Sequence, residues 1–191
     1  MSRLPYVDPA TAPPAVREAL EALPPLNIFR LAAHAESALR PFLRLGGALL
    51  TQAALDARLR ELAILRVAAR SGARYEWVQH AAIATAVGVS EEQVAALERG
   101  DIAADCFDDD ERLVLAFTTE VLEDVGASQA TFERVNVRFS PREIVELILT
   151  VGYYMMIARL METAQIDLDE PAGTAVMEAR RRETTDAGQP G

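Results

Sequence analysis

The chain has 191 residues, 50% of them apolar and 25% charged, with a formal net charge of −10. That length and apolar share suit one globular domain with its own core, and the acidic balance repels polyanions, which excludes a footprint for nucleic acid or an anionic membrane surface. Small molecules and protein partners are left as ligands.

The opening residues, Met1-Ser2-Arg3-Leu4-Pro5, contain no apolar signal core, and the longest apolar stretch, Ile144 to Met161, is interrupted by Glu146 and Arg159. The expected location is the cytoplasm. The single cysteine, Cys106, has no partner for an internal disulfide. It also stands beside Asp108-Asp109-Asp110-Glu111, where like charge opposes thiolate formation.

Apolar residues recur at spacings of three and four, and no alternating β-branched run of strand length occurs, so the class is all-α with about nine helices. Pro13-Pro14 opens a short first helix that ends before Pro24-Pro25, and Asn27 is placed to cap a second. A third runs from about Ser37 to Leu50, with Pro41 near its first turn. Asp56 is the N-cap of a fourth that stops at Ser71-Gly72, and a fifth spans Arg74 to Val87 before Gly88.

Ser90-Glu91-Glu92-Gln93 is a capping box for a short sixth helix. A seventh, from Asp109 to Val125, carries acids where the helix dipole favours them, and an eighth follows Ser128. Ser140-Pro141-Arg142-Glu143 then launches a long ninth helix to about Thr163. Residues 1–175 are expected to form the single domain and residues 176–191 a polar tail, whose Arg180-Arg181-Arg182 reads as a solvated helix end, with contact to a partner as the alternative. A short echo links Arg60-Glu61-Leu62-Ala63-Ile64-Leu65 with Arg142-Glu143-Ile144-Val145-Glu146-Leu147; six positions do not establish a repeat.

The chemistry-bearing residues lie on the fourth and fifth helices. Glu61 is embedded in Leu59, Leu62, Ala63, Ile64, Leu65 and Val67, so its helix is apolar nearly all round and must be enclosed. Glu76 and His80 are spaced i, i+4 and point the same way, with Trp77 beside them. If the two helices fold back at Ser71-Gly72, two carboxylates and an imidazole meet in a mostly apolar slot, a setting that tunes acids and bases toward neutrality. The plainer alternative is a buried Glu61–His80 hydrogen-bonded pair with Glu76 solvated. A metal site using Glu76, His80 and Glu61 is a third reading, weakened by the absence of a second histidine ligand. His34 has no acidic neighbour one turn away and is assigned to packing or helix-end chemistry.

The segments Arg60-Glu61-Leu62-Ala63-Ile64-Leu65-Arg66, Gly72-Ala73-Arg74-Tyr75-Glu76-Trp77-Val78-Gln79-His80 and Gly88-Val89-Ser90-Glu91-Glu92-Gln93 resemble the carboxymuconolactone decarboxylase and alkylhydroperoxidase D superfamily. The resemblance implies an all-α fold assembling into homo-oligomers, trimers or hexamers, with pockets near subunit contacts. In the peroxidase branch the motif is a glutamate, a Cys-x-x-Cys pair and a histidine. The glutamate and histidine fall on Glu61 and His80, but the two cysteine positions fall on Ala73 and Glu76. Peroxide reduction needs an attacking and a resolving thiol, so thiol peroxidase chemistry is not expected.

The decarboxylase branch, which removes a carboxylate from a small unsaturated lactone and returns a proton to carbon, is the nearer match. By that resemblance His80 is the proton donor or acceptor, Glu61 its orienter and Glu76 a second acid or base. Tyr75 and Trp77 are candidate substrate contacts, and Arg60, Arg66 and Arg159 candidate carboxylate anchors. Arg60 is adjacent to Glu61, and neighbouring helical side chains diverge by about 100°. No cofactor or metal is called for. The expectation is thus a lyase-type or isomerase-type enzyme on a small organic acid or lactone, with a non-catalytic oligomeric binding or assembly protein as the alternative. Phe117, Val121, Leu147, Val151, Tyr154, Met155 and Ile157 are apolar positions offered for subunit contacts.

Overall fold

The structure, a computed structural model, describes residues 1–186, with side chains through Arg182. Its described residues hold ten α-helices and no strand: α1 (Pro14–Glu21), α2 (Asn27–Ala32), α3 (Glu36–Thr51), α4 (Ala57–Ser71), α5 (Arg74–Ala86), α6 (Glu91–Glu98), α7 (Asp109–Asp124), α8 (Gln129–Arg138), α9 (Pro141–Ala164) and α10 (Ala175–Asp186).

Local chemistry sets most helix ends. The Asp56 side chain accepts from the amides of Arg58 and Leu59 to start α4, which stops at Gly72 in the left-handed region, φ 65°. Ser90 with Gln93, Asp108 with Glu111, and Ser140 with Glu143 each close a reciprocal capping box. The first and last match expectation. The middle one adds a specific cap where only a dipole effect was anticipated. At α2 the expectation fails: Asn27 is the first helical residue, Leu26 is the cap position, and no cap side chain bonds there. Its amide donates instead to Asp169 Oδ2 at 2.6 Å, so a carboxylate 142 residues downstream supplies the capping oxygen.

Helix α4 is the axis of the molecule. Every residue from Arg60 to Ala68 is buried, because α5, α7 and α9 all pack against it. Helix α9 has the length and hydropathy to cross a bilayer, yet its Leu147, Val151, Tyr154, Ala158 and Met161 face the core, in packing with α3, α4, α7 and α8. A core helix of a globular protein passes the same length and composition test.

The polar tail expected from residue 176 is corrected. Residues 175–186 form α10, which packs on α3, and Met177, Ala179 and Arg180 are buried. Its polar composition hid the contact because only one face is covered. Residues 187–191 of that expected tail lie outside the described residues.

Candidate active site

The fold brings α5 against α4 so that His80 Nδ1 lies 2.7 Å from Glu61 Oε2. Glu61 is fully buried and its other oxygen, Oε1, accepts from Arg60 Nε at 3.2 Å. Arg60 therefore curls round the helix onto its neighbour, a reach that its long side chain allows despite the divergence of adjacent positions. With Nδ1 engaged by the carboxylate, Nε2 is the imidazole nitrogen left for the space that His80 lines. Tyr154 from α9 packs its ring against the imidazole, centroids 4.8 Å apart and planes at 86°, which fixes the ring from the other side.

That space is a cavity of about 90 Å³. Its walls are Tyr75, Glu76, Gln79, His80 and Ile83 from α5, Phe42, Leu43, Gly46, Gly47 and Leu50 from α3, and Tyr153, Tyr154, Ile157 and Met161 from α9. Leu26, Ile28 and Phe29 close one end, and Gly173, Val176 and Arg180 from the C-terminal segment close another. Two glycines make the close approach of α3 possible. A Cβ on Gly46 would come within 2.7 Å of Tyr153 Cζ, and one on Gly47 within 2.9 Å of Arg180 Cδ.

Glu76 is the anomalous group. It is 2% exposed, and neither carboxyl oxygen has a hydrogen-bond partner among the described residues. Burial, reinforced by the charges of Glu162 and Glu61, pushes its pKa well above the ordinary carboxylate range, so the side chain stands as a neutral acid. Glu111 provides the contrast. It is equally buried, but accepts from Arg58 at 2.6 Å, Gln93 at 2.8 Å and the Asp108 amide at 2.9 Å, the wiring of a structural carboxylate. Glu76 has none of this, and it faces the cavity.

The site thus opposes an imidazole held by a carboxylate to a protonated carboxylic acid, one helical turn apart on α5, within apolar walls. Such a pair can take a proton from one position of a small molecule and give one to another. Tyr153 and Tyr154 keep their phenolic protons, because burial raises both pKa values further.

The other candidate residues are placed differently. Tyr75 lines the cavity, but its hydroxyl donates to Asp169 Oδ2 and so holds the C-terminal segment. Trp77 is turned away by the 100° step of the helix; it packs with Leu62, Leu65, Ala84 and Leu97 and borders a surface hollow with Gly72, Arg74 and Glu98. Arg60 lies behind the Glu61–His80 pair and is not in the cavity wall. Arg66 donates to Thr119, and Arg159 is exposed on α9 and donates to the Met155 carbonyl. The structure brings neither to the cavity.

The cation that does reach it, Arg180, was assigned to solvent because its neighbours in sequence are polar. The apolar residues Ala175, Val176, Met177 and Ala179 just before it were the sequence signal for a packed helix there. Cys106 packs with Val94 and Ile102 against the apolar cluster of Leu62, Leu65, Leu97 and Phe107, away from the cavity walls. Desolvation and the charge of Glu92 raise its thiol pKa.

A family model described as the carboxymuconolactone decarboxylase family matches residues 36–120, a span that contains Glu61, Glu76 and His80 but neither Tyr153 nor Arg180. No curated protein matches the chain in sequence. Among solved structures, an uncharacterized peroxidase-related protein with an alkylhydroperoxidase AhpD core from Ralstonia eutropha JMP134 superposes with TM-score 0.77 at 20% identity, covering 92% of this chain and 96% of that one. A peroxidase-related protein from Silicibacter sp. TM1040 gives TM-score 0.73 at 18% identity over 88% and 92% of the two chains. The debrominase Bmp8, as a cysteine-to-alanine variant in complex with 2,3,4-tribromopyrrole, gives TM-score 0.72 at 17% identity over 96% and 99%. At these identities the likeness is one of fold.

Proposed function

We propose that the chain, whose residues 36–120 match the carboxymuconolactone decarboxylase family model, is an acid–base enzyme of the lyase or isomerase type acting on a small organic acid or lactone. The observation that carries this reading is Glu76: a buried, neutral carboxylic acid with no partner among the described residues, on the same cavity as a carboxylate-held imidazole. A purely structural glutamate at that depth would be expected to have donors.

In this scheme Nε2 of His80 takes a proton from carbon or oxygen of the substrate, and Glu61 stabilises the imidazolium through Nδ1. Glu76 delivers its proton to the carbon that has lost carboxylate, or to the carbonyl oxygen of a developing enolate. Thiol peroxidase activity is not part of the proposal, since Ala73 and Glu76 occupy the two cysteine positions and the Cys106 thiol is held protonated. Peroxide turnover with a dithiol reductant would contradict that exclusion.

The test is solvent exchange. In D2O the protein should introduce deuterium into small unsaturated lactones or β-keto acids, read by proton NMR, or release carbon dioxide from them. His80→Asn should abolish the signal while the variant still unfolds cooperatively. A panel in which wild-type protein neither exchanges nor decarboxylates any member would overturn the assignment.

The same reading includes a homo-oligomer, trimer or hexamer. Of the apolar positions offered for contacts between subunits, Phe117, Leu147, Val151, Tyr154 and Ile157 are buried within the chain. The exposed stripe on α9 is instead Val145, Ile148, Leu149 and Met156, continued through Gly152. Spacings of three, four and seven put these on one face. Light scattering should give a multiple of 20.8 kDa, and a monomer mass at micromolar concentration would reject assembly through this face.

A further inference from the structure

We infer that the Glu76 end of the cavity is a pairing subsite for the edge of a cyclic amide, where an N–H and a C=O stand side by side. The cavity then takes small lactams in preference to lactones of the same shape. This goes beyond the proposed acid–base function to a further ligand class. It rests on that reading only for the identity of the site, and it concerns binding alone.

Glu76 lines the cavity from α5, and both of its oxygens are buried without a hydrogen-bond partner among the described residues. An unpaired polar group at that depth is costly. Polar neighbours on the same walls are committed elsewhere. Tyr75 donates to Asp169, and Tyr153 donates to the Phe42 carbonyl at 3.0 Å. Gln79 is bonded to the Glu170 carbonyl and the Ala172 amide, and His80 turns its Nδ1 to Glu61. The carboxyl group is thus left for the occupant of the cavity.

Its protonation decides what that occupant must present. Burial holds the group protonated, reinforced by the charges of Glu162 and Glu61. A protonated carboxyl offers an O–H donor and a carbonyl acceptor in one plane, so both are satisfied only by a partner that accepts and donates along one edge. A carboxylate or a lactone accepts but has no donor to return. The cis amide of a lactam has both, and it closes two bonds with the carboxyl at once, N–H to the carbonyl oxygen and O–H to the amide oxygen.

The rest of the cavity agrees with a small flat ring. About 90 Å³ is less than the ~150 Å³ void known to accept benzene, which limits the occupant to a single small ring. Phe42 stacks on Tyr153 with planes 28° apart, and Tyr153 meets Tyr154 edge-on at 81°, so aromatic surfaces form part of the wall. Side chains one helical turn apart have Cβ atoms about 5–6 Å apart, so a ring seated on Glu76 extends toward His80.

γ-Butyrolactam and γ-butyrolactone differ by a ring N–H in place of a ring oxygen, and so separate the amide edge from shape. By ligand-observed NMR titration on the full chain at neutral pH, wild-type protein should bind the lactam about tenfold or more tightly than the lactone. Glu76→Leu should erase that preference. Glu76→Gln keeps a donor and an acceptor side by side and should retain it. N-methyl-γ-butyrolactam, which lacks the N–H, should bind wild type no better than the lactone does, a comparison that serves if Glu76→Leu does not fold. Wild-type protein that binds lactone as well as lactam or binds neither, an unchanged preference in folded Glu76→Leu, or an N-methyl lactam as tight as its parent would overturn the subsite. The two proposals fail separately. Wild-type deuterium exchange with no lactam preference removes the subsite and leaves the acid–base function, whereas a clear preference without exchange in the substrate panel does the reverse.

Discussion

Glu76 and His80 share one face of α5 and one cavity, yet His80 is bonded to Glu61 at 2.7 Å while Glu76 has no hydrogen-bond donor on either oxygen among the described residues. The two side chains are consequently in opposite states of preparation. One is a base with a carboxylate at its back, and the other is an acid whose proton the apolar surroundings retain.

The state of Glu76 makes stability depend on pH with a definite sign. Its folded pKa lies well above 4.5, the value for an unhindered glutamate, so between those two values the folded chain holds a proton that the unfolded chain has released. Stability from this group is complete below pH 4.5 and is lost as pH rises toward the elevated folded value. The slope is at most about 1.4 kcal/mol per pH unit, the limit for one proton. Glu76→Gln cannot titrate, so its unfolding free energy relative to wild type should climb from pH 5 to pH 8 in urea titrations. Parallel curves for the two proteins across that range would show that Glu76 ionises freely.

Glu61 is expected to matter to the fold as well as to the chemistry. Its two oxygens serve His80 and Arg60, and Arg60 is only 3% exposed. Glu61→Ala leaves a guanidinium buried without its carboxylate, which should destabilise the protein by about 3–5 kcal/mol. Glu61→Gln fills the same space and should lose less stability while still slowing turnover, because the imidazolium is no longer stabilised. Equal unfolding free energies for wild type and Glu61→Ala would rule out this account of the pair.

The parts of this arrangement that were legible in the sequence are the local ones. The caps at Asp56, Ser90 and Ser140 each need only residues within one turn, and the Glu76–His80 register follows from helical spacing alone. The Glu61–His80 contact was anticipated because a tight turn at Gly72 can return α5 along α4. What escaped was long-range. Asp169 capping α2 and Arg180 crossing Gly47 join segments more than a hundred residues apart, and neither acidic nor basic composition near the C-terminus marks them. The arginines first considered as anchors failed for a geometric reason: Arg60 and Arg66 belong to a helix whose buried sides already hold Glu61 and Thr119 as partners, and Arg159 is on the outer face of α9.

Gly46 offers a test of how tightly the cavity wall is built. Tyr153 is held by its hydroxyl bond to the Phe42 carbonyl at 3.0 Å and by stacking on Phe42 at 5.2 Å, so the ring has little freedom to retreat from a new methyl group. Gly46→Ala should therefore destabilise by about 1–3 kcal/mol through overpacking, despite the gain in helix propensity. Gly152 is the control, because a Cβ there meets nothing within 4 Å. The comparison should be made under conditions where the wild type is monomeric, since Gly152 lies on the exposed apolar face. There Gly152→Ala should stabilise by about 0.5–1 kcal/mol. A Gly46→Ala protein as stable as the Gly152→Ala protein would mean that the wall yields.

The C-terminal segment is pinned over the cavity by one carboxylate. Asp169 Oδ2 accepts from the Tyr75 hydroxyl and the Asn27 amide, and the neighbouring backbone is fastened by Gln79, whose Nε2 donates to the Glu170 carbonyl at 3.2 Å and whose Oε1 accepts from the Ala172 amide at 2.9 Å. Asp169→Ala strands a partly buried amide and a buried phenol, each worth about 1–3 kcal/mol when unsatisfied, so a loss of about 2 kcal/mol overall is expected. The effect should be regional, because Gln79 and the apolar contacts of Met177 still tie the segment down. Hydrogen exchange should quicken in residues 167–176 and at the start of α2 while the amides of α4 keep their protection. Uniform acceleration through α4 as well would show that Asp169 supports the whole fold rather than the cover of the cavity.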